Sequence, residues 1–252
     1  NDAPALKKAD IGVAMGITGT DVSKEAVSMT LTDDNFASIV SAVEEGRVIF
    51  SNIRRSVFYL LSTNIGELFT WIAAIAVGIP LPIVAVQILW INLVTDGVCT
   101  IPLGLEPKHR NVLAEPPRRT KSGIIYSGMI WRIVMIAIIM ALGTFFVFRW
   151  ELPRVGLEEA RTIAFSMLVA FQWFNALNAR SDQQSLFKLG ITGNRVLLGG
   201  IGVAILLQAM VIYLPPLQRI FYTVPLDPGD WGIVILIATS VFFIEELRKL
   251  IA

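Results

Sequence analysis

Two stretches of this sequence place carboxylates and carboxamides inside long apolar runs. The first reads Leu61-Ser62-Thr63-Asn64-Ile65-Gly66-Glu67-Leu68 and the second Ile91-Asn92-Leu93-Val94-Thr95-Asp96-Gly97. On a helix, Asn64 and Glu67 share one face, as do Asn92, Thr95 and Asp96. A third run adds Gln172 and Asn175 on one face, with Asn178 nearer its end. An acidic side chain at the centre of a bilayer costs ~2.5–3.5 kcal/mol, and neither acid has a Lys or Arg at matching depth on these helices. A bound cation is the natural compensation. The candidate ligands Asn64, Glu67, Asn92, Thr95, Asp96 and Gln172 offer only oxygen, from two carboxylates, carboxamides and a hydroxyl. That hard set suits Ca²⁺ and disfavours Zn²⁺ or Cu⁺. Gly97 and Pro102 can loosen the second helix and free backbone carbonyls as further ligands. An isolated Asn or Thr in such a run reads better as interhelical hydrogen-bond glue. The paired acids do not, and Gln172 fits either reading.

The elements that must hold these groups follow from the apolar pattern. Of 252 residues, 54% are hydrophobic and only 16% charged, less charge than a soluble domain of this size carries. The apolar residues gather in runs of roughly 17–25, long enough to cross ~30 Å of hydrocarbon. A long helix starts near Phe36, passes Arg54-Arg55 as a cytosolic stalk, continues as a first span through Val57–Ile79, and stops at Gly78-Ile79-Pro80-Leu81-Pro82. Five more spans are predicted near 83–105, 124–148, 162–179, 196–214 and 231–247.

Charge orients them. Arg54, Arg55, Lys108, Arg110, Arg118, Arg119, Lys121, Arg180, Lys188, Arg195, Arg248 and Lys249 fall on one side, against Arg149, Arg154, Arg161 and Arg219 on the other. The positive-inside rule then puts both ends in the cytosol. Arg132 lies within the third span, near its cytosolic end, where it is expected to snorkel. The lone Cys99 excludes an intrachain disulfide and a CxxC metal site, and reads as small apolar filler. No basic stripe or aromatic-basic interleaving points to nucleic acid.

Residues 1–35 are soluble in character. Ile11–Met15 is predicted as a strand, Val22–Ser28 as a helix capped by Asp21, and Met29–Thr32 as a second strand, the pattern of an α/β domain edge. This piece is too small to bury its own core and is expected to belong to a larger domain lying upstream. Neither a starting methionine nor a leader-like segment opens the sequence, which reads as beginning within a protein.

Six stretches, in order, resemble one family. Asn1-Asp2-Ala3-Pro4-Ala5-Leu6 is similar to the end of the TGDGVNDAPAL motif of P-type ATPases. Ala9–Gly16 and Gly19–Ala26 continue that phosphorylation domain. Asn64-Ile65-Gly66-Glu67 and Asn92–Gly97 resemble the fifth and sixth membrane helices of type II pumps, especially the sarco/endoplasmic-reticulum-type calcium ATPases, and Phe174–Asn178 resembles the eighth. The resemblance implies a mainly α, polytopic bundle of six transmembrane helices, the fifth to tenth of a full pump. The end of an α/β (HAD-like) phosphorylation domain would precede it. The division is 1–35 for that domain end, 36–56 for the stalk and 57–252 for the membrane domain.

It implies that Asn64, Glu67, Asn92, Thr95 and Asp96 are cation ligands and that Asp2, with Asn1, belongs to a Mg²⁺ and phosphate site. An aspartate elsewhere in the pump would become the aspartyl-phosphate, with ATP bound mainly by upstream domains. The stalk would carry that state to the ion site, and the basic 106–122 loop would dock near the phosphorylation domain, with His109 as a solvated loop residue. The implied function is the ion-translocating membrane part of an ATP-driven pump moving Ca²⁺ out of the cytosol, in a cell membrane. Its partners are membrane lipid, the cation and the N-terminal domains of the same pump. A Mn²⁺ or Na⁺ pump of the same family and a truncated, non-catalytic membrane fragment remain alternatives. One position departs from the pattern. Two-site calcium pumps carry a glutamate in the eighth helix where this chain has Gln172, so one Ca²⁺ per cycle is predicted, held nearest Asn92 and Asp96. Glu67 leaves room for a weakened second site.

Overall fold

The computed structural model describes residues 2–109, 112–114, 116–117 and 123–251. By internal contacts the chain forms two units, residues 1–50 with 108–117 and residues 51–107 with 118–252.

The smaller unit opens with α1 (Ala3–Lys8), a helix not expected from the sequence, with Pro4 in its first turn where a missing N–H costs nothing. Strand β1 (Val13–Met15), helix α2 (Asp21–Glu25) and strand β2 (Met29–Leu31) follow. All are shorter than expected. The strands pair in parallel, Val13 opposite Met29 and Met15 opposite Leu31, and α2 lies in the crossover that parallel pairing requires. The cap of α2 is Thr20 and not Asp21: the Thr20 hydroxyl accepts the Ser23 N–H at 3.3 Å. Asp21 instead begins the helix, where a negative charge favours the N-terminal dipole.

Asp34 ties the two strand ends together. Its carboxylate accepts the N–H groups of Ile17 (2.8 Å) and Thr18 (2.7 Å) and the Thr18 hydroxyl (2.7 Å). Its backbone is left-handed, with φ +48°, a region that Asp tolerates better than most residues. The Ile17 N–H and the Thr18 hydroxyl hold its carboxyl below the usual carboxylate range. Within the same unit the Arg47 guanidinium donates to the Val112 carbonyl at 2.9 Å, and Lys108 pairs with Glu44 at 3.1 Å.

Helix α3 (Ala37–Val77) is unbroken through the polar stalk and the apolar run, as its pattern predicts, and ends where Gly78 takes φ +72°. The second apolar run is interrupted. It forms α4 (Ala85–Trp90), a π-helical turn over Ile91–Thr95, and α5 (Asp96–Gly104). Then come α6 (Ser127–Val155), α7 (Leu157–Ala179), the short α8 (Leu186–Leu189), α9 (Arg195–Tyr213), α10 (Pro215–Phe221) and α11 (Pro228–Ile251). Among the described residues, four helical stretches are long and apolar enough to cross a membrane: Ala37–Val77, Ala85–Gly104, Ser127–Val155 and Arg195–Tyr213. Helices α7 and α11 are also long but carry more polar groups.

For α7 the burial explains the polarity. Of its 23 residues, 17 are buried, so it faces protein on nearly all sides and need not be apolar enough for lipid. It packs most extensively against α11 and α6, and α5 packs against α9. The α5–α9 contact is close because Pro102 offers no N–H to the Val98 carbonyl, and α9 brings Gly200 against that carbonyl. A Cβ there would lie 2.6 Å from the Val98 oxygen.

Arg132 does not snorkel. It is buried against Glu245 of α11, with Nη2 and Nε 2.7 and 2.9 Å from one carboxylate oxygen, and its guanidinium lies 4.2 Å from the centre of the Phe58 ring. Arg248 reaches the same carboxylate at 2.9 Å. Arg180 is likewise no free loop cation: it pairs with the buried Glu106 at 2.9 Å, and Asn194 donates to that carboxylate at 2.7 Å.

Two outcomes follow. Glu245→Leu strands Arg132, whereas Arg132→Leu leaves Glu245 with Arg248. Breaking a buried pair costs ~3–5 kcal/mol, so the Glu245 change should lower the thermal midpoint of the solubilised complete protein more than the Arg132 change. Equal or reversed losses would contradict the asymmetry. For Asp34, the depressed folded pKa means its contribution is present above the unfolded value of ~3.9 and is lost as pH falls through the lower folded value. Asp34→Ala at neutral pH should therefore speed amide exchange at Ile17 and Thr18, and wild-type protein should show the same acceleration only in strong acid.

Candidate functional site

Two carboxylates lie where α3 faces the interrupted helix and α7. Glu67 and Asp96 are 4% and 2% exposed, so neither is solvated. Asp96 accepts a hydrogen bond from the Asn64 carboxamide at 3.2 Å through Oδ2, while its Oδ1 is buried with no hydrogen-bond partner among the described residues. Glu67 accepts one from Gln172 Nε2 at 3.2 Å, and the Gln172 Oε1 has no donor among the described residues. Three residues along α7, Asn175 donates to the Ser62 hydroxyl at 2.8 Å, and its Oδ1 is also unpartnered. The hydroxyl of Tyr59, one turn before Thr63, is also buried with no hydrogen-bond partner among the described residues.

The π turn sits directly before Asp96. The Thr95 hydroxyl donates to the Ile91 carbonyl at 2.7 Å, and the Asp96 N–H reaches the same carbonyl five residues back. The threonine side chain thus occupies the wide turn, a feature that recurs at functional sites. Gln87 anchors the start of this helix, with Oε1 accepting the Val84 N–H at 3.1 Å and Nε2 donating to the Phe221 carbonyl at 2.9 Å. The irregularity falls before Gly97 and Pro102, the residues that marked a weak helix in the sequence.

The expected ligands are placed unequally. Glu67, Thr95, Asp96 and Gln172 are buried. Asn64 is exposed on its outer side but its amide reaches Asp96, whereas Asn92 is exposed and its side chain makes no hydrogen bond among the described residues. Around Asn64 and Asn92, α3 and the interrupted helix present Leu68, Ile72, Leu89 and Leu93, each more than half exposed. Asp2 is exposed and precedes α1 without capping it through its side chain; Asn1 lies outside the described residues. Among those residues no three His, Cys, Asp or Glu side chains converge, so a cation here would be held by carboxylates together with neutral oxygens. Sequence reasoning missed Ser62 as a partner of Asn175 and Tyr59 beside the acids. Neither lies on the face that Asn64 and Glu67 share: at 100° per residue Ser62 falls on the opposite side of α3 and Tyr59 well around from it, so that spacing pointed to neither.

The buried acids of this unit are not alike: Glu151, near the end of α6, and Asp230, in the first turn of α11, are buried with no ion pair among the described residues. Glu106, Glu245 and Glu246 each have a basic nitrogen at 2.9 Å or closer. Glu67 and Asp96 have hydrogen bonds from carboxamides and no base among the described residues. Burying a charge without a counter-charge is expensive, and Glu67 and Asp96 carry that cost together, which makes them candidates to hold a cation.

A profile of the family described as "Cation transporting ATPase, C-terminus" matches residues 80–251. The calcium-transporting ATPase of Bacillus subtilis is 45% identical over 237 residues, covering 93% of this chain and 26% of that protein. The calcium-transporting ATPase type 2C member 2 of Rattus norvegicus is 45% identical over 252 residues, covering 99% of this chain and 27% of that protein. The probable cation-transporting ATPase F of Mycobacterium tuberculosis is 39% identical over 252 residues, with 100% and 28% covered. The chain thus spans about a quarter of the length of the curated relatives it matches. On this family match and these identities, the chain belongs to the cation-transporting P-type ATPases and corresponds to their C-terminal region.

Proposed function

We propose that this chain is the ion-translocating membrane part of an ATP-driven pump that exports Ca²⁺ from the cytosol. The observation that carries the reading is the contrast between Glu67 and Asp96, buried with carboxamides alone, and the buried acids that have a base. Two relatives are named as calcium-transporting, and an all-oxygen donor set suits that ion. Asp96, Asn64 and Thr95 form the retained site, with Asn92 joining it from the same helix. Glu67 and Gln172 form a weaker neighbour. The exposed apolar residues around Asn64 and Asn92 suit a face covered by the preceding membrane helices of the pump, one of which would add a ligand.

In this reading α7 and α11 also cross the membrane, giving six spans with both ends cytosolic, in the cell membrane. The buried position of α7 and its pairing with α11 support that count. The smaller unit is the end of the phosphorylation domain. The Asp2 carboxylate is exposed and makes no cap bond, so it fits a Mg²⁺ site, which takes one or two carboxylates plus phosphate oxygens. Asn1 would assist there. ATP is bound by other parts of the pump, and the charge that Mg²⁺ supplies would neutralise the phosphoryl group during transfer.

ATP-dependent ⁴⁵Ca²⁺ uptake by vesicles holding the complete protein tests the main claim. Asp96→Asn removes the charge and keeps the shape, and should weaken Ca²⁺ activation at least ~10-fold, equivalent to ~1.4 kcal/mol. Unchanged activation sinks the role of Asp96, and uptake of Mn²⁺ or Na⁺ in place of Ca²⁺ reassigns the ion. The stoichiometry has its own test. Wild type should move one Ca²⁺ per ATP. Gln172→Glu adds a second charge beside Glu67 and should raise the ratio toward two, because ligand charge count tunes Ca²⁺ affinity. A wild-type ratio of two, or no change in the variant, counts against the single strong site.

A further inference from the structure

The single thiol of this chain is not packed among carbon alone. Cys99 is free and fully buried. It follows Asp96 by three residues, so the two share one face of α5. Tyr59 of α3 is fully buried as well, and its hydroxyl lies beside both the Asp96 carboxylate and the Cys99 thiol. That hydroxyl completes a hydrogen bond with neither, and Asp96 Oδ1 has no hydrogen-bond partner among the described residues. A phenol and a carboxylate, on residues 0% and 2% exposed, thus stand near the sulfur with bonding capacity unspent. A thiol that only fills space has no need of such neighbours.

We propose that Cys99 and Asp96 form a binding site for a thiophilic divalent cation of the Cd²⁺ type, with the sulfur and a carboxylate oxygen as its protein ligands. The proposal rests on the reading that Asp96 holds the transported cation. The oxygen ligands expected from the sequence disfavour soft ions, but the folded chain adds a sulfur beside them. A hard ion such as Ca²⁺ takes the oxygens and leaves a thiol alone, whereas a soft one selects it. On binding, the S–H bond breaks, a sulfur–cadmium bond forms and the proton passes to water, with no change of oxidation state. Thiolate and carboxylate then set two negative charges against the two positive charges of the ion, and pairing of that kind is what a buried charge requires. The Tyr59 O–H is left to donate to the sulfur, and water fills the rest of the ion's shell. A soft ion held this way competes with Ca²⁺ for Asp96 and leaves more slowly, because it makes a bond that Ca²⁺ does not. Cys99 therefore turns a path for one ion into a trap for another.

The test uses the complete protein in vesicles, with equilibrium binding of ¹⁰⁹Cd²⁺ in the absence of ATP and inhibition of ⁴⁵Ca²⁺ uptake by Cd²⁺ in its presence. Wild type should bind Cd²⁺ in a form that excess Ca²⁺ displaces, and Cd²⁺ should inhibit uptake competitively. Cys99→Ser keeps the size and replaces sulfur by oxygen. It should abolish the displaceable ¹⁰⁹Cd²⁺ and raise the half-inhibiting Cd²⁺ concentration at least ~10-fold, since removing even a neighbour of a metal ligand costs that much. Cys99→Ala should behave alike, and ⁴⁵Ca²⁺ uptake without Cd²⁺ reports that each variant folds. Every other thiol of the protein stays in place, so a loss in these variants belongs to Cys99. Equal Cd²⁺ binding and inhibition in wild type and both variants overturns the site, as does bound Cd²⁺ that Ca²⁺ fails to displace. Failure of the pump reading shows separately, as absence of ATP-driven ⁴⁵Ca²⁺ uptake by wild type.

Discussion

A carboxylate taken out of water among packed helices must be matched, or the fold loses several kcal/mol. Most of this chain's membrane unit can be understood as the means of meeting that condition. Glu245 draws Arg132 inward from α6 and Arg248 back from the end of α11. Glu106 gathers Arg180 from the end of α7 and Asn194 from the start of α9. Asn52 on α3 joins the same node by donating to the carbonyls of Gly104 and Glu106, each at 3.0 Å. These knots fix where the helices cross. Against that rigid background Glu67 and Asp96 stand apart, held in place by amides that orient them without cancelling their charge.

Helix α7 links the two regimes. Its small residues, Ala164, Ala170 and Ala176 among them, let α6 and α11 approach closely, as membrane helices do where small side chains meet. Its carboxamides spend their N–H groups on neighbours: Gln172 on Glu67, Asn175 on Ser62, and Asn178 on the Val241 carbonyl at 3.0 Å. The same helix that organises the core therefore leaves a row of amide oxygens facing inward. A helix built only for packing would have no use for such a row.

Much of this was legible in the sequence because it is one-dimensional. Run length marks the apolar helices, the Gly78–Pro82 punctuation marks the end of α3, and an acid within a run of Leu, Ile and Val announces itself wherever the helix lies. Other features depend on residues far apart in the chain. Arg132 was expected to reach for the interface because a single helix offers no alternative, yet its partner is Glu245, 113 residues away. Asn64 and Asn92 share their helix faces with the acids, but periodicity cannot say how far around a face the neighbours extend, and both are exposed. The cap of α2 fell to Thr20 because the adjacent Asp21 could serve equally well in the first turn. The wide turn at Ile91–Thr95 left no trace in composition, since Gly97 and Pro102 flag weakness nearby without locating it.

That wide turn behaves as a dislocation does in a crystal. It holds one residue more than an α turn, so moving it along the chain by a few positions re-phases every side chain it passes by about 100°, while the helix on either side keeps its hydrogen bonds and its length. Thr95 and Asp96 lie at its edge. A helix of this kind can re-phase its side chains without unwinding or sliding through the bilayer, and the Thr95 hydroxyl, donating to the Ile91 carbonyl, sits in the gap of the ladder.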